Sequence, residues 1–147
     1  MKSIVLTPRL ERLIFPAVEL RYKGYTLSLL MSGSKILSIG RNITIAPHSK
    51  FRPLPSIHAE LDAIRKCRLP TTNNKKKIIM MIVRQDKSGS WKNCRPCAHC
   101  IETLQKNRIS QIIYSNQEGK FTTEKVCDMN PKTAHVSLGW QKIQKLI

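Results

Sequence analysis

Residues 77–100 read KIIMMIVRQDKSGSWKNCRPCAHC, and the reading of this stretch decides the fold. It opens with the unbroken apolar run Ile78-Ile79-Met80-Met81-Ile82-Val83 between Lys77 and Arg84. An apolar run of that length with polar ends predicts a central strand covered on both faces. Residues 85–96 hold Ser88, Gly89, Ser90 and Pro96 and read as a loop. A helix is predicted over 97–107, entered through Pro96, and another strand over 111–115.

Working upstream, residues 57–66 read as a helix with Ser56 at its N-cap. Residues 25–31 form a strand candidate closed by Ser32-Gly33-Ser34. Residues 35–42 are its hairpin partner, with Ile36, Ser38 and Gly40 alternating against Leu37 and Ile39. Residues 43–56, with Pro47, Pro53 and Pro55, read as loop, and so does the polar stretch 70–77. Near the start, Thr7-Pro8 signals a short helix with Leu10, Leu13 and Ile14 on one face, ended by Pro16. Downstream, residues 120–123 suggest an edge strand and a last helix is expected from about Ser137. Strand, strand, helix, strand, helix, strand is the order of an α/β sandwich. The first strand pair is expected to be antiparallel and the others parallel. No repeat, low-complexity tract or linker divides the chain, so one domain is expected over residues 1–147.

At 147 residues the chain can bury a core without disulfides. No segment approaches the roughly 18 apolar residues that span a bilayer, which sets membrane-spanning helices aside. Charges at Lys2, Arg9, Glu11 and Arg12 break the N-terminal segment, which does not read as a secretory leader. An intracellular, cytoplasmic protein with reduced thiols is expected, and a nuclear or nucleoprotein setting is compatible with its charge. The five cysteines are Cys67, Cys94, Cys97, Cys100 and Cys127. An odd number argues against a complete disulfide framework, and three of them crowd within residues 94–100. Lys and Arg number 26 against 9 Asp and Glu, a formal charge of +17. That surface attracts polyanions and concentrates phosphate-bearing molecules, or serves only as a solvated basic face.

Cys97-Ala98-His99-Cys100 places two thiols at i and i+3. At a helix start these share a face and both reach a tetrahedral Zn²⁺. Taken alone, the pair also fits a redox couple or half of a structural zinc site. A second element narrows the choice. His58-Ala59-Glu60 opens another helix upstream. One His and two Cys supply three ligands and leave a fourth position open, the mark of a catalytic site. In a first helical turn, His58 and Glu60 both converge on an object beyond the helix end. A closed structural site completed by Cys94 or His99 is the alternative.

His58-Ala59-Glu60 followed by Pro96-Cys97-Ala98-His99-Cys100 resembles the H-x-E…P-C-x-x-C signature of the zinc nucleobase deaminases. Residues 94–119, CRPCAHCIETLQKNRISQIIYSNQEG, are also similar to the cytidylate-deaminase type of domain, and the resemblance covers about residues 24–120. It implies membership of the cytidine/deoxycytidylate deaminase superfamily and a three-layer α/β/α sandwich around a mixed five-stranded sheet. It implies Zn²⁺ on His58, Cys97 and Cys100, with Glu60 as the catalytic proton shuttle. Two thiolates and a neutral imidazole leave the metal centre formally neutral, so a neighbouring carboxylate base is useful. The resemblance further implies a sugar contact from Asn42 and a backbone N–H contact from Ala59 to the base. His48, Phe51 and Arg52 lie in a loop that would shape the pocket mouth.

Three functions follow. The first is hydrolytic deamination of a free cytosine nucleotide such as CMP or dCMP. The second is deamination of cytosine or adenine within RNA or single-stranded DNA. The third is a non-catalytic, deaminase-fold protein that binds nucleic acid or serves as a structural component. The basic surface favours a nucleic-acid partner. Against this, aromatic content is 5%, low for stacking several bases, and Asn93-Cys94-Arg95 replaces the Ser-Trp-Ser run typical of polynucleotide editors. Trp91 and Tyr114 are the aromatic candidates for stacking, with ordinary packing as the alternative. The free nucleotide ranks first, and a homo-oligomer is expected from the resemblance.

Overall fold

The apolar run of residues 78–83 becomes the middle of the sheet. The computed structural model describes residues 2–4, 8, 26–33, 35–44, 56–67, 77–86, 88–116 and 118–134. Strand β6 (Ile78–Arg84) lies between β2 (Thr26–Ser32) and β7 (Gln111–Ser115). Beyond β2 lies β3 (Lys35–Arg41), and beyond β7 lie β8 (Phe121–Lys125) and then β1 (Lys2–Ile4). The fold is α/β, and the mixed five-stranded sheet is present as β3-β2-β6-β7-β8. The short β1 adds a sixth strand at the β8 edge.

Period-two alternation along β6 feeds two cores. Met80 and Ile82 join Leu30, Ile112, Ala63, Ile101 and Leu104 on the face that carries the helices α1 (Ala59–Arg65) and α2 (Ala98–Lys106). Met81 and Val83 join Leu27, Leu29, Met31 and Ile113 on the other face, which is equally buried. With both faces apolar, the strand needs no polar alternation, as its sequence indicated. The helices expected at residues 7–16 and from Ser137 lie outside the described residues, apart from Pro8 in a helical turn.

Strand directions match expectation for the β2–β3 and β6–β7 pairs and depart from it elsewhere. β2 runs antiparallel to both β3 and β6, and β8 runs antiparallel to β7. Among the described strands, only β6 and β7 are parallel. The cause is connection length. Residues 85–110, including α2, are long enough to cross over between parallel strands. After β7 the Asn116 N–H donates to Lys120 O at 2.9 Å and the Gly119 N–H to Asn116 O at 3.2 Å, so the short connection makes β8 fold back. β8 is also longer than the expected edge piece, and it is not the edge, because Lys2–Ile4 pairs along it. Within the expected loop 43–56, the two ends pair as β4 (Ile43–Thr44) and β5 (Ser56–Ile57).

Helix α1 starts two residues later than read, with His58 rather than Ser56 at its N-cap, because Ser56 is held in β5. Its packing on β3 depends on Gly40. A Cβ there would collide with Ala59 O and Ala63 N, and would come within 2.8 Å of Ala63 Cβ. Two side chains fix the contact. The Arg41 N–H donates to Asp62 Oδ2 at 3.1 Å, and the Ala59 N–H donates to Asn42 Oδ1 at 2.9 Å. Asp62 has no exposed surface, and Arg65 Nε and Lys66 Nζ each reach it at 2.8 Å. Burial opposes its ionisation, but these partners hold its carboxyl below the usual range.

The substitution Gly40→Ala should therefore destabilise the protein by about 1–3 kcal/mol, the range for overpacking a tight contact. Urea denaturation followed by circular dichroism measures it. A loss no larger than that of an exposed-site control would mean that β3 and α1 are not tightly apposed.

Candidate metal centre and cleft

Two helix starts meet over the end of the sheet. His58 and Cys97 occupy the N-cap positions of α1 and α2 in extended conformations, φ −69° and −73°, and neither side chain caps its own helix. Both turn toward a common point. His58 Nδ1 lies 3.3 Å from Cys100 Sγ and 3.6 Å from Cys97 Sγ, and the three donor atoms lie within 4.8 Å of one another. Tetrahedral zinc, with Zn–S near 2.3 Å and Zn–N near 2.0–2.1 Å, requires N···S separations of about 3.5 Å. The donor set fits that ion in chemistry and in spacing. Neither Cys94 nor His99 joins the group among the described residues, so the three-ligand arrangement stands without a fourth protein ligand.

The thiols are electrostatically unequal. A hydrogen bond from Cys100, aided by His58 and opposed by burial, brings the Cys97 thiol down to about 3. Its hydrogen bond to Cys97, reinforced by burial, pushes the Cys100 thiol far up. The bond to Cys97 also raises the His58 imidazole, against its burial. Before a metal binds, the two thiols thus do not ionise alike.

Glu60 is 6% exposed. Ser28 Oγ donates to its Oε1 at 3.4 Å, across from β2. Burial raises its carboxyl, opposed by a hydrogen bond from Cys100 and by the His58 charge. With His58 and Cys97 it lines a cleft of about 160 Å³.

Asn42 lines the same cleft, so the structure places it beside the chemistry. Its side-chain oxygen is occupied by the Ala59 N–H, which His58 does not cap. The amide that the family resemblance reserved for a base is therefore bonded within the protein. Trp91 instead packs edge-on against Phe121 at 5.2 Å, toward the other face of the sheet. Tyr114 is 3% exposed and donates to Glu124 Oε2 at 2.7 Å. Both are packing residues rather than stacking platforms. His48, Phe51 and Arg52 lie outside the described residues. Cys94 is buried near Ser115, and burial pushes its thiol up to about 11.

The sequence reading did not single out Thr26, Arg84, Asn93 and Arg95, which also line the cleft. A signal for Arg84 existed. It lies two residues beyond Ile82, so strand alternation puts it on the helix-bearing face. Arg95 carried no such signal, because its position depends on Glu124, 29 residues away, which it grips through Nε at 3.0 Å and Nη2 at 3.3 Å.

An α/β sheet with an imidazole and two thiols joined at two helix starts, and a buried carboxylate beside them, defines a zinc protein with an open coordination position. The chain matches the model of the cytidine and deoxycytidylate deaminase zinc-binding region over residues 10–116, and it belongs to that family. Among solved structures it is similar to the dCMP deaminase of cyanophage S-TIM5 in apo form. That match has 17% identity and a TM-score of 0.49, and covers 76% of this chain and 86% of that one. The same phage enzyme in complex with dCMP and dUMP matches at 17% identity and a TM-score of 0.47, covering 76% and 85%. No curated protein matches the chain in sequence.

Because the coupled thiol pair retains a proton before the metal arrives, zinc uptake near pH 7 should release at least one proton per ion. Affinity should fall as pH falls, since protons and metal compete for the same atoms. Titration calorimetry in buffers of different ionisation enthalpy measures the proton count. Binding without proton release would contradict the assigned ligand set.

Proposed function

We infer that the protein hydrolytically deaminates a cytosine nucleotide of the CMP or dCMP type, releasing ammonia and leaving the uracil nucleotide. The observation that carries this reading is the buried Glu60 carboxylate facing the same cleft as His58 and Cys97. A structural zinc site has no use for a carboxylate held beside it.

When bound, Zn²⁺ supplies the Lewis acidity that brings the pKa of water toward neutrality. The chain's own residues do the rest. His58, Cys97 and Cys100 would hold the ion, and His58 and Cys97 line the cleft. Glu60 takes a proton from the attacking water and delivers it to the ring nitrogen beside the reacting carbon. Glu60 then supports protonation of the departing amine, so one water is consumed and one ammonia leaves. The Ser28 hydroxyl orients the carboxylate by holding Oε1. The burial of Glu60 weakens solvent screening of the charges that develop beside it.

The +17 charge supports a second reading, a cytosine or adenine within single-stranded nucleic acid. The composition of the cleft favours the monomer. Among the described residues, no Trp, Tyr or Phe lines it to stack neighbouring bases. All described cysteines are free, which suits the reducing intracellular setting we propose.

The test is to incubate zinc-loaded protein with cytidine, CMP, dCMP and a cytosine-containing oligonucleotide while following ammonia and the uracil product. Turnover of a monomer is expected. Glu60→Ala should lower kcat by about a hundredfold or more, the scale of a lost general acid–base group. Turnover of the oligonucleotide alone would move the protein to the second reading, and no turnover of any of them would overturn the assignment.

A further inference from the structure

The cleft has a floor and a mouth, and they differ in charge. Glu60 is the only carboxylate among its described lining residues, and it is buried. Two guanidinium groups, Arg84 and Arg95, reach the lining from other elements. They are not equivalent. Arg95 is held by both oxygens of Glu124, which also accepts the Tyr114 hydroxyl, so its charge is already matched. Arg84 has an exposed side chain and no carboxylate within ion-pair distance among the described residues. The nearby Lys92 is paired with Asp86 at 3.3 Å. Among the described lining residues, Arg84 is therefore the guanidinium without a carboxylate partner.

Its backbone is fixed. The Arg84 N–H donates to Ser115 Oγ at 3.4 Å, and its carbonyl accepts the Lys92 N–H at 2.9 Å. Thr26 is its partner across the β2–β6 ladder, and Thr26 lines the cleft as well. One row deeper, Ser28 pairs with Ile82, and Ser28 is the residue that holds Glu60. Arg84 thus stands one pleat repeat, about 7 Å, outward from the row beneath the carboxylate. A base whose reacting atom lies near Glu60 would present its sugar and phosphate toward that outer row.

We propose that Arg84 is a specificity-determining residue that binds the phosphate of the substrate nucleotide at the cleft mouth. The proposal rests on the deaminase reading of the same cleft. A planar guanidinium matches two phosphate oxygens at once, and an unpaired one surrenders no existing ion pair to do so. The phosphate is that of a free monoester or of a strand backbone, and the two sources are separable.

The experiment compares wild-type protein with Arg84→Gln and Arg84→Lys, each zinc-loaded. Equilibrium binding is measured for deoxycytidine, dCMP and a short cytosine-containing DNA strand with no terminal phosphate. The readout is the ratio of affinities for each phosphate-bearing ligand over deoxycytidine. In Arg84→Gln the dCMP ratio should fall about tenfold or more, with partial recovery in Arg84→Lys. A fall confined to the DNA strand would assign Arg84 to a backbone phosphate. Ratios within twofold of wild type for both ligands would overturn the proposal, as would an equal loss for deoxycytidine. Because binding is read without turnover, a phosphate effect in a protein that deaminates nothing would reject the activity and keep the subsite. Thermal unfolding of each variant establishes that a lost ratio is not a lost fold.

Discussion

The closeness of α1 to β3 governs the rest of the structure. Gly40 lets the helix backbone settle where any side chain would keep it away. The end of β3 and the residue after it then grip the helix start, Arg41 through its amide on Asp62 and Asn42 through its oxygen on Ala59. This grip frees His58 from capping its own helix. Its imidazole can then face the thiols, while Glu60, two residues on, turns into the cleft. A looser contact would let the first turn shift, and the three donor atoms would no longer fall within reach of one ion.

Polar groups are brought into an apolar setting with their partners already arranged. Asp62 is fully buried but surrounded by a guanidinium, an ammonium and an amide. Glu124 receives both Arg95 and Tyr114. Among the described residues no buried side-chain polar atom lacks a hydrogen bond. Such satisfaction matters because a half-satisfied network in a low-dielectric interior is worse than an apolar one. Glu60 differs from the others, its partners being a long Ser28 hydroxyl contact, the Cys100 thiol and the His58 charge rather than a close ion pair. A carboxylate with few fixed partners is free to exchange a proton.

Much of this could be read from the chain. The run from Ile78 to Val83 declared a buried central strand, and Pro96 marked the entry to the second helix. The pairing of His58-Ala59-Glu60 with Cys97 and Cys100 was legible because ligand spacing at helix starts is a local property. Features set by distant neighbours were not. Nothing local to residues 120–123 says that Lys2–Ile4 would cover them, so β8 was mistaken for an edge. Ser56 looks like an N-cap only until its pairing with Thr44 is known. Asn42 was read for a ligand, but its oxygen also serves the helix start, a dual position that depends on how β3 ends. Trp91 and Tyr114 looked equally able to stack or pack, and Phe121 and Glu124 decide for each.

The loop between β6 and the second helix start closes on itself. Gln85 bridges to Trp91, and the Asp86 carboxylate gathers the amides of Ser88 and Ser90, the Ser88 hydroxyl and the Lys92 ammonium. Its two ends are joined where the Lys92 amide meets the Arg84 carbonyl, and Cys94 is tied separately to Ser115 O at 2.9 Å. Changes at the tip are thus mechanically insulated from the cysteines. The tip around Gly89 is a natural place for lineages to vary loop length, and for an engineer to insert a reporter, while the chemistry below keeps its register.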